Sequence, residues 1–313
     1  MPNLTAYNET CAVIGDVYWN HRLHNLSGNS KYFDVIERTM YNGLISGISL
    51  DGKQFFYPNA LEADGVYESN RGSCTRQAWF DCSCCPTNLI RFVPSIPGLI
   101  YSKTNDVLYV NLYASNDASF KLGKTDLQIW QQTAYPWNGN IGISVNPKKD
   151  SKFTIKFRVP GWARNEVLPG DLYTYKKAST QKATINLNGE ALAIQPEDGY
   201  FIVTRNWKKG DKISLNFPME VQEVETSPKV ESNKNKVSLE YGPIVYAVEE
   251  IDNKTNFDKI NVEAGDTFKV RKEANLLQGI NVIENSKFKA IPYYTWSNRG
   301  VGKMKVWLDY KEN

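Results

Sequence analysis

Two adjacent cysteines, Cys84 and Cys85, stand in the run CSCCPTN (residues 82–88), and Glu9 precedes Cys11 by two positions in the segment ETC. Three thiols and a carboxylate are a full tetrahedral donor set for zinc. All five cysteines (positions 11, 74, 82, 84 and 85) fall in the first third of the chain, so any thiol chemistry belongs to that end. Pro86 reads as the first residue of a short helix. A cysteine there faces unpaired N–H groups and the positive end of the helix dipole, both of which favour the thiolate. Coordination to a cation removes the proton outright. Spacing alone leaves three readings open: structural zinc, buried cysteines without metal, and a catalytic thiolate. Cys82 and Cys85 form a single C-x-x-C pair with no second pair to complete it, so the pattern is not a zinc ribbon. Cys74 and Cys82 are spare thiols, and Cys82 is a competing ligand. His21 and His24, the only two histidines, read as packed or solvated helix residues rather than ligands.

The elements that must bring these groups together are mainly helical. From Glu9 to about Ser27, apolar residues such as Cys11, Ile14, Val17 and Tyr18 recur at three- and four-residue steps, and Gly28 supplies a stop. Ser30 is expected to cap a second helix with Tyr32, Val35, Ile36 and Met40 on one face, ended by Asn42-Gly43. Asp51-Gly52 predicts a hairpin joining residues 45–50 to 53–57. Residues 62–78 are polar and irregular and read as a surface loop. A short helix is expected from Pro86 to about Phe92.

Beyond about residue 100 the hydrophobic period changes to two. Phe153, Ile155, Phe157 and Val159 alternate with polar residues, as do Ile141, Ile143, Val145 and Ile213, Leu215, Phe217. Turn dipeptides such as Asn138-Gly139, Asn188-Gly189 and Gly210-Asp211 punctuate the runs, which indicates antiparallel sandwiches. The charged stretch from Thr226 to Lys236 reads as a seam between two such modules.

The bulk numbers remove several functions. The 313 residues allow two or three domains, and 41% hydrophobic with 23% charged residues is an ordinary globular balance. A net charge of +3, from 37 basic and 34 acidic residues, gives no reason to expect nucleic acid or an anionic membrane as partner. No run reaches the ~18 apolar residues of a membrane span, and MPNLTAYN has neither the basic start nor the apolar core of a secretory signal. The expectation is a soluble protein of undetermined compartment. An odd number of cysteines, two of them neighbours, argues against a disulfide framework.

Taken together, ETCA (9–12), YFDVIERTMYNG (32–43), SGISLDGK (46–53), FFYPN (55–59), CCPTNLIR (84–91), VPGWA (159–163), GPIVY (242–246) and IPYYTWSNRG (291–300) resemble glycoside hydrolase family 127, the β-L-arabinofuranosidases. The resemblance implies an α+β chain with the last helices of an (α/α)6 barrel at residues 1–98. Antiparallel β-sandwich domains would follow at 99–222 and 223–313, the last strands returning to the first of them. It implies Zn2+ held by Glu9, Cys11, Cys84 and Cys85, with Cys84 as the nucleophile that forms a thioglycosyl intermediate on a terminal β-L-arabinofuranoside. Tyr57 matches a tyrosine that contacts the sugar, and the implied partner is an arabinose-containing glycan.

The chain also departs from that pattern. Family members are about twice as long, and their general acid/base is a glutamate upstream of the Glu-Thr-Cys segment, whereas residues 1–8 hold neither Asp nor Glu. Glu62, Asp64 and Glu68 read as solvated loop charges. The expectation is a C-terminal fragment, weakly active by itself, whose helices expose an apolar face at Ile14, Val17 and Tyr18. Such a face would favour self-association or capture of a missing barrel half. The contrasting reading is a non-enzymatic β-sandwich protein that binds carbohydrate or a partner, with zinc as a structural staple.

Overall fold

The computed structural model describes residues 1–254 and 257–312. Its α-helices lie at the N-terminal end: α1 (Thr10–Ser27), α2 (Lys31–Thr39) and α3 (Cys84–Phe92). Helix α1 ends where the sequence says it should, because Gly28 takes the left-handed conformation at φ 68° and its N–H closes onto the His24 carbonyl. Ser30 does not cap α2 with its side chain; the Asn29 side-chain oxygen accepts from the Lys31 N–H instead. Nor does Asn42-Gly43 break the helix, since the chain continues through a π-helical turn, Met40–Leu44. Asn42 is held there by bonds to Arg38 O, Pro243 O and the Val245 N–H. The Asp51-Gly52 hairpin is shorter than expected: Ile45–Gly47 is 3-10, and Ile48 and Phe55 form only one bridge.

The face that α1 exposes is not the one expected of a fragment that lacks its barrel partner. Ile14 and Val17 are buried with Phe33, Ile36, Leu89 and Phe92 in a core shared by all three helices, and Tyr18 packs edge-on against Phe92. The apolar residues left in solvent are Trp19 and Leu26 on α1 and Ile90 on α3, with Val93 just beyond it.

The rest of the molecule is mostly β-sheet. A six-stranded sheet (order 190–191, 184–187, 211–216, 140–147, 125–133, 116–122) faces a four-stranded one (200–207, 151–158, 107–110, 101–103). Their inward residues, among them Ile129, Ile143, Ile155, Phe157, Phe201 and Trp207, form one core. Pairing is antiparallel except between Val107–Val110 and Ser151–Arg158, which run parallel. A third, larger sheet contains the C-terminal strands and has its own core around Val237, Tyr246, Val262 and Ile283. The Thr226–Lys236 stretch is a loop within this sheet rather than a seam, because Val221–Thr226 pairs with Lys236–Tyr241 on either side of it. Two outlying segments join the sheet: Tyr173–Tyr175, and Glu62–Ala63 from the loop after the helices, which pairs with Met304–Lys305.

Buried charge ties the helices to the sandwich. The inward face of α2 carries Asp34 and Glu37 beside Phe33 and Ile36. Arg158, fully buried, donates to Asp34 Oδ1 at 2.7 Å and to Glu37 Oε1 at 2.5 Å. Asp34 also accepts from the Gly161 N–H and from Arg164, while Tyr135 donates to Glu37. Every charge in the set has an opposite partner, which burial at this depth requires.

Candidate metal and catalytic site

A short extended contact starts the assembly. Glu9 forms a bridge with Pro58, the Thr10 N–H donates to Tyr57 O at 2.9 Å, and the Asn59 N–H donates to Asn8 O at 2.8 Å. The Thr10 hydroxyl donates to Phe56 O and accepts from the Asn59 amide, each at 3.0 Å, so the start of α1 is fixed against residues 56–59. Helix α3 then packs on α1 with Gly47 between them. A Cβ on Gly47 would lie 2.8 Å from Thr10 Cγ2 and 3.2 Å from Leu89 Cδ1. The absent side chain lets the two helix N-termini meet, each bringing its thiols with it. The second helix begins at Cys84, two residues before the position expected from Pro86, so both adjacent cysteines lie in its first turn.

There the four predicted donors converge. One ligand atom from each of Glu9, Cys11, Cys84 and Cys85 lies within 4.8 Å of the other three. Cys84 Sγ is 3.5 Å from Cys11 Sγ and 3.9 Å from Cys85 Sγ, and Glu9 Oε1 is 3.5 Å from Cys84 Sγ and 3.6 Å from Cys85 Sγ. Tetrahedral donors on zinc at its usual bond lengths stand about 3.8 Å apart for two sulfurs and about 3.5 Å apart for sulfur and oxygen. The spacing of the donors fits such an ion. Their electrostatics fit it too: burial pushes the Cys11 and Cys85 thiols up, and the neighbouring Cys84 raises both further. Three thiolates and a carboxylate repel one another at this range unless a cation sits among them.

The three thiols are not equivalent. Cys85 is buried, whereas Cys11 and Cys84 are partly exposed. Only Cys84 meets a phenol, with Tyr57 Oη 2.7 Å from its sulfur. That contact, and then burial, hold the Tyr57 phenol well above its usual range, and when the sulfur is ionised the phenol O–H is the donor of the bond between them. Phe80 packs edge-on to the Tyr57 ring, and the Tyr57 N–H donates to Asn70 Oδ1 at 2.8 Å. Cys82 is exposed, with its sulfur 3.9 Å from Tyr57 Oη, and neither it nor Cys74 belongs to the donor cluster. His24 is buried against Phe33, next to the Asn29 carbonyl, in keeping with a packing role; neither histidine belongs to the cluster.

The loop before the thiols holds residues that the sequence reading passed over. Asn70 is fully buried and knits the loop through bonds to Phe55 O and Thr75 O. Arg76, also buried, donates to Ser46 O, Trp296 O and Tyr294 O and so joins this region to the C-terminal sheet. A polar loop composition hid both; their only signal is an Asn and an Arg in a stretch that closes back on Phe55 through Gln77. Of the loop carboxylates, Asp64 accepts from the Val66 and Tyr67 N–H groups and so serves its own turn. A cavity of about 460 Å³ lies among Val13, Asp16, Arg38, Thr39, Asn42 and Asn59, and no thiol lines it. The cluster and that cavity are separate.

Comparison with known proteins gives a consistent picture. Three models of one family match in succession: the GH127 catalytic domain of β-L-arabinofuranosidases over residues 1–98, the GH127 middle domain over 107–219, and the glycoside hydrolase family 127 C-terminal domain over 221–309. A non-reducing end β-L-arabinofuranosidase from Bifidobacterium longum subsp. longum is 29% identical over 344 residues, covering 98% of this chain and 49% of the relative. Among solved structures, a GH127 β-arabinofuranosidase is 45% identical with a TM-score of 0.92, covering 99% of this chain and 50% of its own. A GH127 β-L-arabinofuranosidase from Geobacillus stearothermophilus T6 is 38% identical with a TM-score of 0.89, covering 99% and 51%. The chain spans about half the length of these relatives.

Proposed function

The chain belongs to glycoside hydrolase family 127, and we propose that it carries the nucleophile and the metal centre of a retaining β-L-arabinofuranosidase. In this reading Glu9, Cys11, Cys84 and Cys85 would hold zinc, which would supply the positive charge that favours an ionised Cys84 sulfur. Cys84 Sγ attacks the anomeric carbon of a terminal β-L-arabinofuranoside and the leaving oxygen departs, giving a sugar–sulfur bond. Water then displaces the sulfur and restores the original configuration. Tyr57 would steady the sulfur through its O–H and, beside the nucleophile, would contact the sugar. The single observation that carries the assignment is the asymmetry of the adjacent pair. Cys84 is accessible and phenol-bonded, while Cys85 is buried behind it.

The acid/base role has no assigned occupant. Glu9 is taken up by the cluster, and Asp64 by its own loop. A natural substrate requires its leaving oxygen to be protonated, a contribution of roughly 10²–10⁴-fold, so this chain by itself is expected to release arabinose slowly. The helices are read as the last part of an (α/α)6 barrel, with an arabinose-containing glycan as partner. Further helices, or a second copy of the chain, would cover Trp19, Leu26, Ile90 and Val93.

An aryl β-L-arabinofuranoside with an acidic phenol needs no protonation to leave and therefore isolates the first step. Incubating it with the chain and mapping peptides by mass spectrometry should find one pentosyl unit on Cys84 and none in Cys84→Ser. A zinc-loaded protein that stays unlabelled at Cys84 would overturn the assignment. The staple reading makes a different prediction, namely equal loss of stability for Cys84→Ser and Cys85→Ser with no label on either thiol.

A further inference from the structure

Arg71 occupies an unusual position beside the thiols. Its backbone is left-handed at φ 51°, a region that favours glycine, and Gly72 follows at φ 88°. The Gln77 side-chain amide holds this turn by donating to Asn70 O and Arg71 O. The turn sets the guanidinium over the ring of Tyr57, its carbon 3.8 Å from the ring centroid. The same guanidinium donates to Tyr7 Oη at 3.1 Å, and the Tyr7 ring stands 6.5 Å from that of Tyr57. Phe80 closes another side of the Tyr57 ring, edge-on at 5.2 Å. The far end of Tyr57 is the hydroxyl that lies 2.7 Å from Cys84 Sγ.

These contacts form one line from Tyr7 through Arg71 and Tyr57 to the sulfur. A cation over the face of a phenol is attracted to the ring and draws electron density from it, so the O–H becomes a stronger donor. A guanidinium can lie along the face of an arene, and in that arrangement it also restricts the ring. Lysine offers the charge without the plane.

We propose that Arg71 is a positioning residue that acts through Tyr57 on Cys84, pinning the phenol and strengthening its hydrogen bond to the sulfur. The proposal rests on the reading of Cys84 as the reactive thiol. Its test measures thiol chemistry rather than sugar release, so failure of the arabinoside reading and failure of this one are told apart.

A hydrogen bond to a thiolate lowers its reactivity as a nucleophile, and removing the bond raises it. The experiment alkylates the zinc-loaded chain with iodoacetamide at one fixed pH and follows Cys84 by peptide mapping. It compares the unchanged protein, Arg71→Met, Tyr57→Phe and the double variant. Tyr57→Phe should speed labelling about tenfold, the scale of a hydrogen bond to a charged group. Arg71→Met should speed it about threefold, the scale of a partly exposed cation–π contact, and should change nothing further once Tyr57→Phe is present. Arg71→Lys should fall between Arg71→Met and the unchanged protein. Equal acceleration by Arg71→Met in both backgrounds would mean that Arg71 merely shields the sulfur, and no acceleration in the unchanged background would mean that it has no effect; either result overturns the proposal.

Discussion

At the scale of single residues, the adjacent cysteines divide the work. Cys85 is buried and its thiol is pushed up by that burial, so in the proposed centre it would serve as a ligand rather than a nucleophile. Cys84 combines accessibility with the Tyr57 bond. Either serine variant leaves three of the four donors, but Cys85→Ser also puts a hydroxyl in a buried position, so it is expected to lower zinc content more than Cys84→Ser does; metal analysis after dialysis against a graded chelator distinguishes the two. That Glu9, Cys11, Cys84 and Cys85 come together was legible in the sequence because few residue types bind zinc and the chain offers few of them in such close spacing. Arg71, Asn70 and Arg76 were not legible. Their roles depend on a loop that folds back on residues 55–57, and loop composition carries no period from which such a contact can be read.

At the scale of elements, the site exists because two helix N-termini are allowed to touch. Gly47 is the spacer, and Gly47→Ala would drive a methyl group into Thr10, which is already bonded on two sides, and toward Leu89 of α3. The expected result is a folded protein with weakened zinc binding, measured by competition with a chromophoric chelator; unchanged affinity would show that the helices tolerate separation. The buried Arg158 latch belongs to the same scale. Arg158→Met would strand Asp34 and Glu37 without their main cation, and chemical denaturation should show a loss of about 3–5 kcal/mol. Helix α2 was legible as a helix, but not as one with two carboxylates on its buried face, because amphipathic periodicity assigns charged residues to solvent. The partner that reverses this assignment lies more than a hundred residues away in a β-strand. Burial also lowers the pKa of His24 on α1, so the folded protein keeps this imidazole neutral where the unfolded chain protonates it. Its contribution is intact above the unfolded value of about 6.5 and is lost as pH falls below it. The unfolding free energy from chemical denaturation should fall less steeply between pH 7 and pH 5 for His24→Gln than for the parent, by at most about 1.4 kcal/mol per pH unit.

At the scale of the whole molecule, the β-rich C-terminal two thirds could be foreseen from period-two alternation and turn dipeptides, yet the long-range pairings could not. The strand Tyr173–Tyr175 and the pair Glu62–Ala63 leave their sequence neighbours to join the C-terminal sheet, a choice set by tertiary register rather than local pattern. At the helical end several large apolar side chains lie in solvent. Trp19 is 64% and Leu26 85% exposed on one helix, and apolar residues grouped in this way favour association. Light scattering is expected to show concentration-dependent association that Trp19→Lys with Leu26→Glu abolishes; a monomer at all concentrations would contradict this. Among the described residues no helix is long and apolar enough to cross a membrane.

The most direct measurement of the central claim is zinc K-edge X-ray absorption on the purified chain reconstituted with one equivalent of zinc. The account predicts a first shell of three sulfurs at about 2.3 Å and one oxygen at about 2.0–2.2 Å, falling to two sulfurs in Cys11→Ser. A shell of nitrogen and oxygen only, or a chain that retains no zinc while Glu9, Cys11, Cys84 and Cys85 are intact and reduced, would contradict it.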